Sequence, residues 1–78
     1  MKVFHTDEVE KHLVTRTIKQ RFQKSVCYIE LNLPNMVDLK LLKPKNKGIW
    51  QFRITKKYRA LAIKEEGHLY VFEISDHQ

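Results

Sequence analysis

Hydrophobic positions change period near the middle of the chain, from spacings of three and four to alternation. Ile18, Phe22, Val26 and Ile29 recur at helical intervals while Lys19, Gln20, Gln23 and Lys24 fall between them, which predicts an amphipathic helix. A shorter helix precedes it. Thr6 or Asp7 serves as its N-cap, Glu10 completes a capping-box pattern three residues after Asp7, and Val9 and Leu13 share its inner face. Val3 and Phe4 form a candidate first strand. The cluster Val14-Thr15-Arg16-Thr17 weakens helix propensity enough to separate the two helices, with Thr15 or Thr17 capping the second. Leu33-Pro34-Asn35 ends that helix, because proline cannot continue it and biases the residue before it away from helical angles.

From there the pattern is that of strands. Val37 to Leu42 is an apolar run of strand length, and KPKNKG at 43–48 is a loop carrying three lysines. Three strands follow, at about 49–55, 58–64 and 68–75, the last two joined through Gly67 in a three-residue hairpin loop. The order β-α-α-β-β-β predicts a single α+β domain over residues 1–78, with two N-terminal helices on one face of a small antiparallel sheet.

Arg59 is the anomaly in this pattern, because it interrupts the apolar segment YRALAI. In the strand before it, Trp50, Phe52 and Ile54 take one face and Gln51, Arg53 and Thr55 the other. A two-residue turn at Lys56-Lys57 would set Arg59 opposite Ile54 and bury a guanidinium among aromatic rings, at high cost. A three-residue turn over 55–57 instead sets Arg59 opposite Arg53 and places Ala60 and Ala62 beneath the helices. In the last strand, alternation assigns Tyr70, Phe72 and Ile74 to the core and Val71, Glu73, Ser75 and His77 to the face of Arg59, with Ser75 opposite Arg59 and Glu73 opposite Leu61. The expected open face therefore carries Gln51, Arg53, Arg59, Glu73, Ser75 and His77. Opposed arginines repel, so the arrangement favours an anionic ligand over stability, although a rim arginine reaching to water or paired with Glu73 has the same pattern.

Charge strengthens that reading. The formal net charge is +6, and nine basic residues with no acidic one lie between Leu39 and Lys64: Lys40, Lys43, Lys45, Lys47, Arg53, Lys56, Lys57, Arg59 and Lys64. Such a basic middle suits nucleic acid first and an acidic protein segment second. Cys27 is the single cysteine; within the apolar run VCYI it is expected to be a buried thiol in a reducing cytosol. No apolar run approaches the length of a membrane span or signal-peptide core, so a cytoplasmic protein is expected. His5, His12 and His68 have no second ligand at a recognised metal spacing, and neither metal nor cofactor is expected.

The segment GIWQFRITKKYRALAI, followed by LYVFEISDH, resembles the RelE/ParE superfamily of type II toxins, and Gly48, Trp50, Arg53, Ile54, Tyr58 and Arg59 carry the resemblance. It implies a toxin neutralised by a cognate, acidic antitoxin and monomeric when free. In the RelE and YoeB branches it implies an endoribonuclease that cuts mRNA in the ribosomal A site without metal. Arg59 matches the arginine that stabilises charge on the scissile phosphate, and Gln51 and Arg53 match two strand positions that are lysines in RelE. His77 matches the catalytic histidine of YoeB, and Gln78 its terminal tyrosine. Lys40 stands where YoeB has a general-base glutamate, which leaves the base unassigned, with Glu73 a candidate from the face argument. The resemblance thus implies Arg59, Arg53 and His77 as catalytic residues, with His77 the general acid. Lys40, Lys43, Lys45, Lys47, Gln51, Lys56, Lys57, Tyr58, Glu73 and Gln78 are the expected substrate contacts. A ParE-like inhibitor of DNA gyrase, and a noncatalytic member that binds an antitoxin, remain open alternatives.

Overall fold

The computed structural model describes residues 1–76. Strand β1 (Val3–His5) is followed by helices α1 (Asp7–His12) and α2 (Arg16–Glu30), a 3-10 turn at Pro34–Val37, strand β2 (Lys40–Leu41), a second 3-10 turn at Lys45–Lys47, and strands β3 (Ile49–Arg53), β4 (Tyr58–Glu65) and β5 (His68–Asp76). These strands form one sheet in the order β1-β5-β4-β3-β2. The α+β order is as expected, and β2 to β5 pair antiparallel. The sheet as a whole is mixed, because β1 runs parallel to β5, a pairing made possible by the two-helix crossover between β1 and the later strands.

Local chemistry sets the helix ends. Thr6 and Thr15 are the N-caps, their hydroxyls accepting from the backbone N–H groups of Val9 and Ile18, each at 3.2 Å. Helix α2 stops before proline is reached. Asn32 adopts φ 63°, its N–H donates to the Ile29 carbonyl at 3.0 Å, and the Leu33 N–H donates to the Tyr28 carbonyl at 2.8 Å. This pair of bonds satisfies the last carbonyls and turns the chain at Asn32, before Leu33-Pro34 is reached.

One sheet face is sealed by the helices. Phe52, Ala60, Ala62, Leu69 and Val71 are fully buried there, with Val9, Leu13, Phe22 and Ile29 packed over them. Ala60 and Ala62 lie opposite Phe52 and Trp50, so small residues alternate with large ones across the pair and the helices approach closely. A clasp joins β1 to both helices: Glu10 meets His5 Nε2 at 2.8 Å and Lys19 Nζ at 3.2 Å. The bond to His5, then that to Lys19, holds the Glu10 carboxyl below the usual carboxylate range.

Three expectations are corrected. Cys27 is exposed, because the inward stripe of α2 runs through Phe22, Ser25 and Ile29 and leaves position 27 on the far side of the helix. The β4–β5 hairpin has a two-residue loop, Glu66-Gly67, closed by the Glu65–His68 pair, and both loop residues have positive φ, 52° and 79°. That mirror-image turn matches the twist of the strands. A β-bulge then breaks the alternation of β5: Leu61 pairs with Glu73 but Ala62 with Val71, so Phe72 has no partner. Leu69 and Val71 enter the core before the bulge and Ile74 packs on it afterwards, while Tyr70 and Phe72 belong to the uncovered face. Among the described residues no helix is long and apolar enough to cross a membrane.

Candidate functional site

The sheet face away from the helices is ordered in rows by strand pairing, since directly paired residues project to the same side. The first row is Phe4, Tyr70, Ile63 and Ile49. It is apolar, and the Phe4 and Tyr70 rings stack with centroids 5.3 Å apart. The second row is Glu73, Leu61, Gln51 and Lys40. The third, Ser75, Arg59 and Arg53, is cationic. Uncovered strands thus grade from aromatic at one end to basic at the other.

Arg59 is the central group of the third row. The side chain is half-buried, and its Nε is shielded from solvent with no hydrogen-bond partner among the described residues. A guanidinium held in this way has lost water at one donor without recovering a bond, a cost of about 1–3 kcal/mol that an anion would remove. No carboxylate pairs with Arg59 among the described residues. The expected alternative pairing with Glu73 is absent, because Glu73 lies one row away opposite Leu61 and is exposed.

Arg53 faces Arg59 but is differently held. Its Nη2 donates to the Met36 carbonyl at 3.4 Å, and the side chain borders a cleft of about 220 Å³ shared with Arg21, Lys24 and Tyr28 of α2. Its backbone carbonyl accepts from the buried Ser25 hydroxyl at 2.8 Å, which ties the end of β3 to α2. The three-residue turn after it is built without glycine: Thr55 Oγ1 accepts from the N–H groups of Lys57 and Tyr58 at 3.1 and 3.0 Å. That side-chain brace fixes the register that puts Arg53 opposite Arg59.

The remaining expected contacts separate into groups. Lys40 and Gln51 join the second row, with Lys40 Nζ 4.0 Å from Asp38. Lys56 and Lys57 are exposed at the turn beside the cationic row, and Lys57 Nζ lies 3.9 Å from Asp76. Lys43, Lys45 and Lys47 are exposed near the opposite end of β3, before Ile49. The four steps along β3 from Ile49 to Arg53 span about 13 Å, so these lysines do not join Arg59. Tyr58 sits on the helix side, where its ring lines a cleft of about 400 Å³ with Ile18 and Ile74. His77 and Gln78 lie outside the described residues. Two residues of the open face were missed from sequence. Tyr70 and Phe72 were assigned to the core by unbroken alternation, and nothing in LYVFEIS marks where a bulge interrupts it.

Among the described residues no group of three or more His, Cys, Asp and Glu side chains is placed to hold a metal ion. The chemistry available on the open face is that of two guanidiniums, an exposed carboxylate and exposed aromatic rings.

No family model and no curated protein matches the sequence. Solved structures do match. The chain superposes on one chain of the YoeB–YefM toxin–antitoxin heterotetramer of Staphylococcus aureus with a TM-score of 0.73 at 14% identity, covering 100% of this chain and 98% of that one. The same values hold for the YoeB dimer from that organism. For a YoeB/ParE toxin from Agrobacterium tumefaciens the TM-score is 0.72 at 20% identity, with 100% of both chains covered. Over its whole length, therefore, the chain has the α+β fold of the YoeB and YoeB/ParE toxins, the fold that its resemblance to the RelE/ParE superfamily implies.

Proposed function

We propose that this chain is the toxin of a toxin–antitoxin pair and that it inhibits translation by cutting mRNA on the ribosome. The observation that carries the proposal is Arg59: a half-buried guanidinium whose Nε has no partner among the described residues, opposite a second arginine, on the one sheet face the helices leave open. The shared fold and the YoeB–YefM complexes among its neighbours support the toxin reading.

In this mechanism the ribose 2'-hydroxyl attacks the adjacent phosphorus, the bond from phosphorus to the 5'-oxygen breaks, and the products carry a 2',3'-cyclic phosphate and a 5'-hydroxyl. Arg59 offsets the charge that grows on the phosphoryl oxygens, in a position that requires no reorganisation during the reaction. Arg53, one strand away, holds a neighbouring phosphate oxygen, its fork geometry suited to two-point contact. His77 is the proposed proton donor to the departing 5'-oxygen. The 2'-hydroxyl proton passes to water, because the cationic row holds no carboxylate and Glu73, the candidate expected from sequence, lies exposed in the adjacent row. Lys40, Lys56 and Lys57 add salt-dependent attraction to the RNA backbone. The antitoxin is an acidic segment that covers the cationic row.

The test is induction of the chain in a bacterial host beside Arg59→Ala. Growth arrest with an immediate fall in amino-acid incorporation, lost with Arg59→Ala, supports the reading. Arrest with DNA-damage signalling while translation continues replaces it with a gyrase inhibitor. Unimpaired growth with folded protein leaves a noncatalytic binding member.

A further inference from the structure

Phe72 is a large apolar side chain, 38% exposed, at the one position where β5 breaks register. Its neighbours go to opposite sides: Val71 is fully buried against the helices and Glu73 is exposed opposite Leu61. Phe72 is absent from the core and from the residues packed against it. A β-bulge redirects a side chain at the expense of a ladder bond, and here it turns an aromatic ring out beside the cationic row instead of into the core. Along β4, Leu61 lies about 7 Å from Arg59, so an aromatic and a carboxylate stand one row from the arginine, on the scale of a single nucleotide.

We infer that Phe72 and Glu73 form a nucleobase subsite: the base next to the phosphate held by Arg59 stacks on the Phe72 ring and donates its exocyclic amine to the Glu73 carboxylate. This inference rests on the reading of the chain as an RNA-cutting toxin and gives that site a base preference. Stacking alone accepts every base, because each has a π-face. At the base edge that carries adenine N6 or cytosine N4 the carboxylate discriminates, since it accepts a hydrogen bond from either amine, whereas uracil and guanine present an oxygen there. Charge complementarity selects RNA over an apolar protein segment as the occupant. The carboxylate at Glu73 is flanked by a row whose Arg53 and Arg59 suit phosphates, and an apolar segment would fit the first row, where Phe4 already stacks on Tyr70.

The experiment measures binding of the full chain to labelled single-stranded oligoribonucleotides of A, C and U by fluorescence anisotropy at fixed salt. The wild type is expected to prefer A and C to U. Phe72→Ala is expected to weaken A and C binding by about 5- to 150-fold, the range for losing one aromatic stacking partner. Phe72→Tyr restores it, Phe72→Leu does not, and Glu73→Gln removes the preference while retaining most of the affinity. Circular dichroism of each variant monitors the fold. Loss of binding with Arg59→Ala but not with Phe72→Ala overturns the base subsite and leaves the phosphate site standing. Full retention by Phe72→Leu overturns stacking. Phe72→Ala that leaves RNA unaffected but weakens an antitoxin complex assigns the ring to a protein interface. No binding by the wild type, or binding indifferent to Arg59→Ala, overturns the subsite, whereas the RNA reading itself is overturned by absence of cleavage on programmed ribosomes.

Discussion

Arg53 and Arg59 stand directly opposite one another on antiparallel neighbours, yet among the described residues the Arg53 guanidinium has a hydrogen-bond partner, the Met36 carbonyl at 3.4 Å, and the buried Nε of Arg59 has none. Like charges facing one another across a strand pair are destabilising, and an unsatisfied buried donor adds to that. The pair is therefore a stability cost located on the open face, where an anion would remove it.

The two arginines should consequently behave differently when removed. Arg59→Ala is expected to lower cleavage by about 10²- to 10³-fold while leaving stability unchanged or raising it by up to about 1 kcal/mol. Arg53→Ala should reduce cleavage less, because its guanidinium is drawn toward the α2 cleft. Denaturant melts beside cleavage assays on the same preparations measure both quantities. A large loss of stability in Arg59→Ala would show the residue to be structural.

Ser25 ties the end of β3 to α2 through its bond to the Arg53 carbonyl. Ser25→Ala leaves that carbonyl unpaired at a buried contact and is expected to cost about 1–3 kcal/mol in chemical denaturation. Ser25→Cys should recover part of the loss by filling the space. An Ala variant as stable as the wild type would mean that solvent reaches the carbonyl.

The β4–β5 turn places Glu66 at φ 52°, a conformation that a glutamate side chain resists. Glu66→Asn creates the favoured Asn-Gly turn pair and should raise stability by about 0.5–1 kcal/mol, read as a rise in melting temperature. Gly67→Ala, at φ 79°, should lower it by about 1–2 kcal/mol. A neutral Gly67→Ala would show that the hairpin can take another loop.

Much of this architecture was legible in the sequence because its signals are local. Threonine caps, the stripe Ile18-Phe22-Ile29 and the alternation Trp50-Phe52-Ile54 each report on their own segment, and the three-residue turn that sets Arg53 opposite Arg59 followed from the cost of burying a guanidinium. The pairing of Arg59 with Ser75 was also expected, but from a three-residue hairpin loop. The structure reaches the same pair by a two-residue loop and a bulge at Phe72, two one-residue shifts that cancel beyond Leu61. Between loop and bulge they do not cancel, and there Tyr70 and Val71 exchanged faces. A bulge depends on partners in another strand, so an apolar run such as LYVFEIS carries no mark of it.

Glu10 gives a pH dependence with a definite sign. Its carboxyl is held below the usual range by His5 and Lys19, so it contributes stability above its unfolded value of about 4.3, and that contribution is lost as pH falls through the lower folded value. Glu10→Gln should accordingly destabilise the protein at pH 7 and make no difference near pH 2. Thermal melts of both proteins across pH 2 to 7 measure this. A constant difference throughout would mean that the loss is one of packing and not of charge.

The central claim is that the open face positions Arg59 on a scissile phosphate, and the most direct measurement uses purified ribosomes programmed with a defined mRNA. Wild-type protein should cut within the decoded codon, leave a 2',3'-cyclic phosphate, and spare the same RNA without ribosomes; Arg59→Ala should leave it intact. Intact mRNA with folded wild-type protein, or equal cleavage by wild type and Arg59→Ala, would contradict the account.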